Sequence, residues 1–155
     1  MILDLDNTIV AWNTTAVHPE ARAWIAAAVQ HGLRVCLLSN ALRRRRVAQV
    51  ARDLGIPGLT RAGKPLPAAF RRAMAALGTK ADTTCAVGDQ VFTDMLGANW
   101  LGIITVLVDP ISPREPPHTR LARLLEGPLR RRWGRQAGCE AVQGAQGRGK
   151  RIPGT

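Results

Sequence analysis

Aromatic and acidic side chains are scarce in this sequence. Its 155 residues include no tyrosine, two phenylalanines, four tryptophans and 11 acidic residues, against 22 basic ones. No run of 18 consecutive apolar residues occurs, so the sequence predicts no membrane-spanning helix. The length corresponds to a single domain with one hydrophobic core.

Cysteine is also scarce, and the three cysteines form no Cys-x-x-Cys pair. An odd number of widely spaced cysteines argues against a disulfide framework and for a reducing compartment, so we expect a cytoplasmic protein. Cys36 and Cys85 lie within apolar stretches, where we expect buried packing residues. The first motif described below begins at residue 4, which leaves no room for a secretory signal peptide before it.

Positive charge dominates and is unevenly distributed. The formal net charge is +11. Residues 114–155 hold ten basic and three acidic residues, a net charge of +7, whereas residues 1–113 hold twelve and eight, a net charge of +4. A basic protein favours anionic partners, which here include nucleic acid, anionic lipid and phosphorylated substrates.

Apolar runs alternate with amphipathic stretches, a pattern typical of an α/β fold with a parallel sheet. We predict five strands, at residues 2–6, 34–38, 59–62, 84–87 and 103–108. Helices are predicted from Pro19 to Gly32 and at residues 42–54, 66–77 and 93–101, with proline or glycine at their ends. A proline-rich linker and a basic helix at 119–133 complete the predicted domain 1–133. Residues 134–155, rich in glycine, glutamine and arginine, are predicted to be a disordered basic tail.

Two aspartates, Asp4 and Asp6, follow the apolar start of the first predicted strand. Residues two apart at the end of a strand point to the same side of the sheet. One such carboxylate can attack phosphorus while the other transfers a proton, and a metal ion can join the first carboxylate to a phosphate. Acidic turns are common at strand ends, so the pair by itself leaves a plain loop as the alternative.

Three further motifs follow in a defined order. They are Ser39-Asn40 after the second predicted strand, then Gly63-Lys64-Pro65, then Gly88-Asp89 with Asp94 after the fourth predicted strand. This order resembles the four motifs of the haloacid dehalogenase superfamily: Asp-x-Asp, Ser, Lys and Gly-Asp-x4-Asp. The residues around the motifs resemble the YqeG-like phosphatases of subfamily IIIA over roughly residues 2–125. One departure is Ala41, which stands where that family usually has the second asparagine of Ser-Asn-Asn.

The resemblance implies a Rossmann-like, three-layer α/β sandwich whose five parallel strands lie in the order 3-2-1-4-5. It also implies a phosphatase in which the Asp4 carboxylate, the Asp6 backbone carbonyl and Asp89 bind Mg²⁺. Asp94 is then expected to hold either a metal-bound water or Lys64.

The mechanism implied by the resemblance is attack by Asp4 on phosphorus, giving an aspartyl-phosphate that water then hydrolyses. Asp6 protonates the leaving group and afterwards deprotonates the water. Three further residues are expected to bind the phosphate oxygens: Ser39, Asn40 and Lys64. The alternatives are that Ser39-Asn40 is a helix N-cap and that Lys64 is an ordinary exposed lysine.

The gaps between the motifs leave no room for a cap domain, the module that often selects substrates in this superfamily. An open site favours a phosphate displayed by a large carrier, and the mitochondrial relatives of the family imply phosphatidylglycerophosphate at a membrane surface. Two other functions remain open. One is a phosphoprotein or nucleotide phosphatase, and the other is a nucleic-acid- or ribosome-associated protein with a vestigial site.

Two arginine clusters bear on the choice of partner. Arg43 to Arg46 form either a solvated basic face or a surface that steers anionic partners to the site. Arg130 to Trp133 end the predicted basic helix, where positive charge is locally favourable, and arginines beside a tryptophan also resemble a peripheral membrane contact.

Overall fold

The computed structural model describes residues 1–113, and these form an α/β fold. The strands are β1 (Ile2–Leu3), β2 (Cys36–Leu38), β3 (Gly58–Leu59), β4 (Cys85–Gly88) and β5 (Ile104–Leu107). The helices are α1 (Pro19–Gln30), α2 (Arg44–Leu54), α3 (Pro67–Leu77) and α4 (Leu96–Asn99). The basic helix predicted at 119–133, its arginine cluster, the domain boundary at 133 and the tail predicted at 134–155 lie outside the described residues.

All strand pairs in the sheet are parallel, in the order β3-β2-β1-β4-β5. The central strand β1 pairs on both sides, so that Leu3 lies opposite Leu37 of β2 and Val87 of β4. The predicted fold class and strand order are therefore confirmed. The order reverses between β1 and β4, which is where doubly wound sheets bind ligands.

Side chains of β1 alternate between the two faces of the sheet and enter two separate apolar clusters. Leu3 packs in a cluster with Ile25 of α1 and Val47 of α2, while Ile2 packs with Phe70 of α3 and Ala98 of α4. Helices α1 and α2 therefore cover one face, and α3 and α4 cover the other. This three-layer arrangement buries the sheet from both sides, which explains why β2 is apolar throughout.

The cysteines of the sheet differ in exposure. Cys36 in β2 is buried, as predicted, and burial raises the pKa of its thiol to about 11. Cys85 is partly exposed at the start of β4, so its predicted burial is incomplete. Among the described residues, no helix is both long enough and apolar enough to cross a bilayer.

Several elements are shorter than predicted; the first strand, predicted at 2–6, is observed at Ile2–Leu3. Two of the differences have local backbone reasons. The strand predicted at 59–62 is observed at 58–59, because Arg61 has a φ of 48°, which an extended strand cannot continue. The helix predicted at 93–101 begins as a π-helical turn at Val91–Met95. In that turn the Met95 N–H reaches back five residues to the Gln90 carbonyl, at 3.4 Å. This wide turn presents Asp94 towards the carboxyl end of β4.

A glycine brings α4 close to the loop that carries Lys64. A Cβ atom added at Gly97 would overlap the Pro65 carbonyl oxygen and the Phe70 ring. Glycine is therefore the residue that allows this backbone approach, and the Lys64-Pro65 peptide bond there is cis.

Candidate active site

The predicted motif residues come together at the carboxyl ends of the central strands. Asp4 follows β1, Ser39 follows β2 and Asp89 follows β4 directly. Above them lies a cavity of about 630 Å³, lined by five of the predicted site residues: Asp4, Asp6, Ser39, Asn40 and Lys64. Asp89 and Asp94 are buried beneath it, at 0% and 3% exposure. The fold thus gathers motifs that are up to 90 residues apart along the chain into one site.

Three buried carboxylates form the floor of the site. One oxygen from each of Asp4, Asp89 and Asp94 lies within 4.8 Å of the others. The Lys64 ammonium donates to Asp4 Oδ1 at 2.5 Å and to Asp94 Oδ1 at 2.6 Å, and it is itself buried. This single cation faces three carboxylates, so the cluster is short of positive charge.

The environment of the cluster raises the pKa of Asp4 to about 7. Burial is the largest cause, the nearby Lys64 lowers the value, and the Asp94 and Asp89 charges raise it again. Burial also acts to lower the pKa of Lys64, but the two carboxylates that it bonds raise it above its ordinary value. Lys64 therefore stays charged, while Asp4 takes up a proton more readily than a free aspartate.

Asn40 lines the cavity and also holds the backbone of Lys64. Its side-chain NH₂ donates to the Lys64 carbonyl at 3.0 Å, and its Oδ1 accepts from the Lys64 N–H at 2.8 Å. Ser39 Oγ accepts from the Ala41 N–H at 3.0 Å, which is the local turn contact expected of a capping serine. That contact leaves the Ser39 hydroxyl proton available to an acceptor in the cavity.

Steric crowding explains why residue 88, just before Asp89, is a glycine. A Cβ atom added at Gly88 would overlap the Asp94 carboxylate. The Asp94 carboxylate packs against the Gly88 backbone and accepts the Gln90 N–H at 3.2 Å. The Gly-Asp pair of the motif therefore leaves room for the third carboxylate of the cluster.

Thr8 is a site residue to which sequence analysis assigned no role. Its hydroxyl lies 3.3 Å from Asp4 Oδ2 and 3.3 Å from Asp89 Oδ1, so it can donate to either carboxylate. The signal was its position, four residues after Asp4 and just beyond the first motif.

Asp6 stands apart from the buried cluster. Its carboxylate is paired with Arg46, at 2.6 Å to Nη2 and 3.0 Å to Nη1, and it also accepts the Asn13 N–H at 3.2 Å. The interpretation of Arg43 to Arg46 as a solvated face is therefore wrong for Arg46, whose side chain is 9% exposed. Arg43 donates to Asn13 Oδ1 at 3.1 Å, and Arg44 and Arg45 are exposed.

The family follows from comparison with known proteins. The sequence model of the haloacid dehalogenase-like hydrolases matches residues 1–102. The chain belongs to this family. It is 37% identical over 126 residues to the probable phosphatase YqeG of Bacillus subtilis, covering 81% of this chain and 73% of that protein. These matches confirm the predicted resemblance to the YqeG-like phosphatases. They also confirm the predicted enzyme class, a phosphatase of this superfamily.

Two further relatives carry the names of specific phosphatases. A Thermus thermophilus phosphoserine phosphatase is 34% identical, and an Arabidopsis thaliana phosphatidylglycerophosphate phosphatase 1 is 29% identical. The matches cover 71% and 86% of this chain but only 49% and 41% of those proteins. The chain thus spans half or less of the length of these two relatives.

Solved structures show the same fold. A Listeria monocytogenes protein aligns with a TM-score of 0.61 at 18% identity, covering 75% of this chain and 83% of that one. A HAD phosphatase from Thermococcus onnurineus aligns with a TM-score of 0.55 at 19% identity, covering 72% and 59%.

The cluster of Asp4, Asp89 and Asp94 is able to hold a divalent cation. Carboxylate oxygens are the ligands that hard cations prefer. A cation there would also supply the positive charge that Lys64 alone does not provide.

The raised pKa of Asp4 predicts a pH dependence of stability in metal-free protein. Because the folded protein binds this proton more tightly than the unfolded chain, the contribution of Asp4 is present at low pH and is lost as pH rises from about 4 to about 7. We expect the unfolding free energy of wild type minus that of Asp4→Asn to fall between pH 5 and pH 8, by on the order of a few kcal/mol. Urea unfolding in a chelating buffer measures it, and an unchanged difference would contradict the expected ionisation penalty.

Proposed function

We propose that this protein is a Mg²⁺-dependent phosphomonoester hydrolase that works through an aspartyl-phosphate on Asp4. The observation that carries the proposal is the buried cluster of three carboxylates around Lys64, placed where the sheet order reverses and opening into the cavity. Such a cluster is costly without a purpose, because each buried charge loses its hydration.

The proposed ligands of Mg²⁺ are the Asp4 carboxylate, the Asp6 backbone carbonyl and Asp89. Bound there, the ion would neutralise charge on the transferring phosphoryl group. Asp94 serves instead as a partner of Lys64, since its Oδ1 lies 2.6 Å from the ammonium.

In this mechanism Asp4 and Asp6 act in both half-reactions. In the first, an Asp4 carboxylate oxygen bonds to phosphorus, the bond from phosphorus to the leaving oxygen breaks, and Asp6 gives that oxygen a proton. In the second, Asp6 takes a proton from water as the water oxygen bonds to phosphorus, and the Asp4–phosphorus link breaks. Lys64 and the Ser39 hydroxyl hold the phosphate oxygens, and Asn40 fixes the Lys64 backbone.

The mouth of the cavity favours a large anionic substrate. Two apolar side chains in its lining are exposed, Trp12 at 39% and Leu42 at 73%, and Arg43 lies beside them. No inserted domain covers this mouth among the described residues. We infer a phosphate carried by an anionic lipid, such as the phosphatidylglycerophosphate named for the Arabidopsis relative. Phosphoserine, named for the Thermus relative, is the alternative substrate.

Replacing Asp4 with asparagine should abolish phosphate release, because an amide cannot form the acyl phosphate. The fold should persist, since the change removes one of three mutually repelling carboxylates. Phosphate release assays, with circular dichroism as the folding control, measure both. Turnover by the folded variant above about one hundredth of wild type would contradict the assignment of Asp4 as nucleophile.

Millimolar Mg²⁺ should raise the melting temperature of the wild-type protein, because the native state alone gathers the ligands. In Asp89→Asn the shift should be lost or greatly reduced. Asp82→Asn is a matched control, since it removes an exposed carboxylate that precedes β4, at the end of that strand opposite Asp89. A shift of equal size in wild type and Asp89→Asn would show that the ion binds elsewhere.

The choice of a lipid carrier predicts a specific role for the exposed pair Arg44 and Arg45. Replacing both with glutamine should lower turnover on vesicles that display an anionic lipid phosphomonoester, while turnover of a small soluble phosphate stays unchanged. The loss should shrink as salt screens the attraction. Initial rates on vesicles and on the soluble substrate, at low and at physiological salt, measure it.

The matched control for this pair is Arg71 and Arg72, which are exposed on α3 at the opposite face of the sheet. Their replacement removes the same charge and should leave vesicle turnover at the wild-type rate. Equal losses from the two pairs would show a general charge effect instead of a docking surface. A protein that ignores vesicles but binds RNA at physiological salt would overturn the lipid assignment in favour of nucleic acid.

A further inference from the structure

The Asp6 carboxylate is held on three sides by hydrogen bonds. Its Oδ1 accepts from Arg46 Nη2 at 2.6 Å and from the Asn13 N–H at 3.2 Å, and its Oδ2 accepts from Arg46 Nη1 at 3.0 Å. A carboxylate oxygen accepts about two hydrogen bonds. Oδ1 is therefore fully occupied, whereas Oδ2 keeps one acceptor site.

The same guanidinium also fixes the loop that follows Asp6. Arg46 Nε donates to the Thr14 carbonyl at 2.7 Å. The loop folds back on itself through bridges that join Asp6 to Val10 and Val10 to Val17. Arg46 thus joins the first turn of α2, the loop and the Asp6 side chain, using all three of its nitrogens.

From this geometry we propose that Arg46 is a positioning residue for proton transfer: it orients Asp6 so that Oδ2 carries the transferred proton towards the cavity. The proposal rests on the proposed phosphatase mechanism. Asp6 and Arg46 both line the cavity in which the leaving group would sit. Of the two Asp6 oxygens, Oδ2 is the one that keeps an acceptor site for the exchanged proton. Arg46 thus acts through Asp6 and does not itself contact the phosphorus atom.

The proton balance in both half-reactions then involves one oxygen. When the phosphorus–oxygen bond to the leaving group breaks, the proton on Oδ2 moves to the leaving oxygen, and Asp6 becomes a carboxylate. When water attacks the aspartyl-phosphate, Oδ2 takes one proton from that water, and Asp6 returns to its starting form. Oδ1 keeps its bonds to Arg46 and Asn13 throughout.

Two other roles for Arg46 are open to test. It could bind the substrate directly, or it could only stabilise the fold. The geometry limits direct binding, because three of the five guanidinium N–H groups are engaged within the protein and the side chain is 9% exposed. Arg43, which is exposed at the same cavity, is better placed for contact with a substrate.

The test depends on the basicity of the leaving group. An alkyl oxide needs a proton to leave, whereas p-nitrophenolate is weakly basic and needs little assistance. We therefore compare kcat/KM of Arg46→Ala with an alkyl phosphate and with p-nitrophenyl phosphate. This ratio reports steps up to formation of the aspartyl-phosphate, so slow hydrolysis of that intermediate does not mask the effect.

The expected result is a loss at least about tenfold greater for the alkyl phosphate, within the range that acid catalysis supplies. Arg46→Lys should not restore activity, since one ammonium cannot make the paired contacts of a planar fork. Added guanidinium should partly restore Arg46→Ala. Arg52→Ala, an exposed arginine in the same helix, is the matched control and should behave as wild type.

A double mutant separates positioning from the other roles. If Arg46 acts through Asp6, then Arg46→Ala should cost little more in the Asp6→Asn background than Asp6→Asn alone. Equal losses for both leaving groups, or additive losses in the double mutant, would overturn the proposal. Should Arg46→Ala fail to fold by circular dichroism, Arg46→Lys supplies the same comparison.

The two levels of proposal fail in different ways. A wild-type protein that releases no phosphate from either substrate contradicts the proposed phosphatase mechanism itself. An active wild type with an Arg46→Ala variant indistinguishable from Arg52→Ala contradicts the role of Arg46 alone.

Discussion

The site depends on one buried ammonium, that of Lys64, which lies between Asp4 and Asp94. Three carboxylates within 4.8 Å of one another repel strongly in a low-dielectric interior. Lys64 offsets part of that repulsion, and burial together with the charges of Asp94 and Asp89 still raises the pKa of Asp4 to about 7. Structural features far apart in the chain follow from the need to keep this lysine in place. The Asn40 side chain bonds both the N–H and the carbonyl of Lys64, and Gly97 lets α4 pack against the loop that carries Lys64.

Much of this arrangement could be predicted from the sequence, because the functional groups sit at strand ends. Apolar strands followed by Asp4, Ser39 and Asp89 place these residues on one edge of a parallel sheet once the strand order is known. Lys64 was identified because Gly63-Lys64-Pro65 resembles the third motif of the family. Its ammonium contacts Asp94, and it is one of the two partners expected for that aspartate. The strand order itself came from family resemblance, since local patterns do not specify which strands are neighbours.

The features that were missed depend on side-chain contacts between distant segments. Arg46 is one of four consecutive arginines, and composition alone cannot distinguish the one that pairs with Asp6 from those exposed to solvent. The shorter β3 reflects the positive φ of Arg61, an unusual conformation for a residue other than glycine. The two hydrogen bonds between the Asn40 side chain and the Lys64 backbone join residues 24 apart, a contact that no local pattern encodes.

Lys64 and Arg46 differ in shape, and each shape suits the aspartate that the side chain contacts. Lys64 is a point charge buried among carboxylates, where it can bond Asp4 and Asp94 at once and still face a phosphate in the cavity. Arg46 is a planar fork, which restrains the orientation of Asp6 through paired contacts. A nucleophile needs nearby positive charge for the group that it attacks, whereas a proton donor needs a defined direction. In the proposed mechanism, electrostatic control by the lysine beside Asp4 is thus separate from orientational control by the arginine beside Asp6.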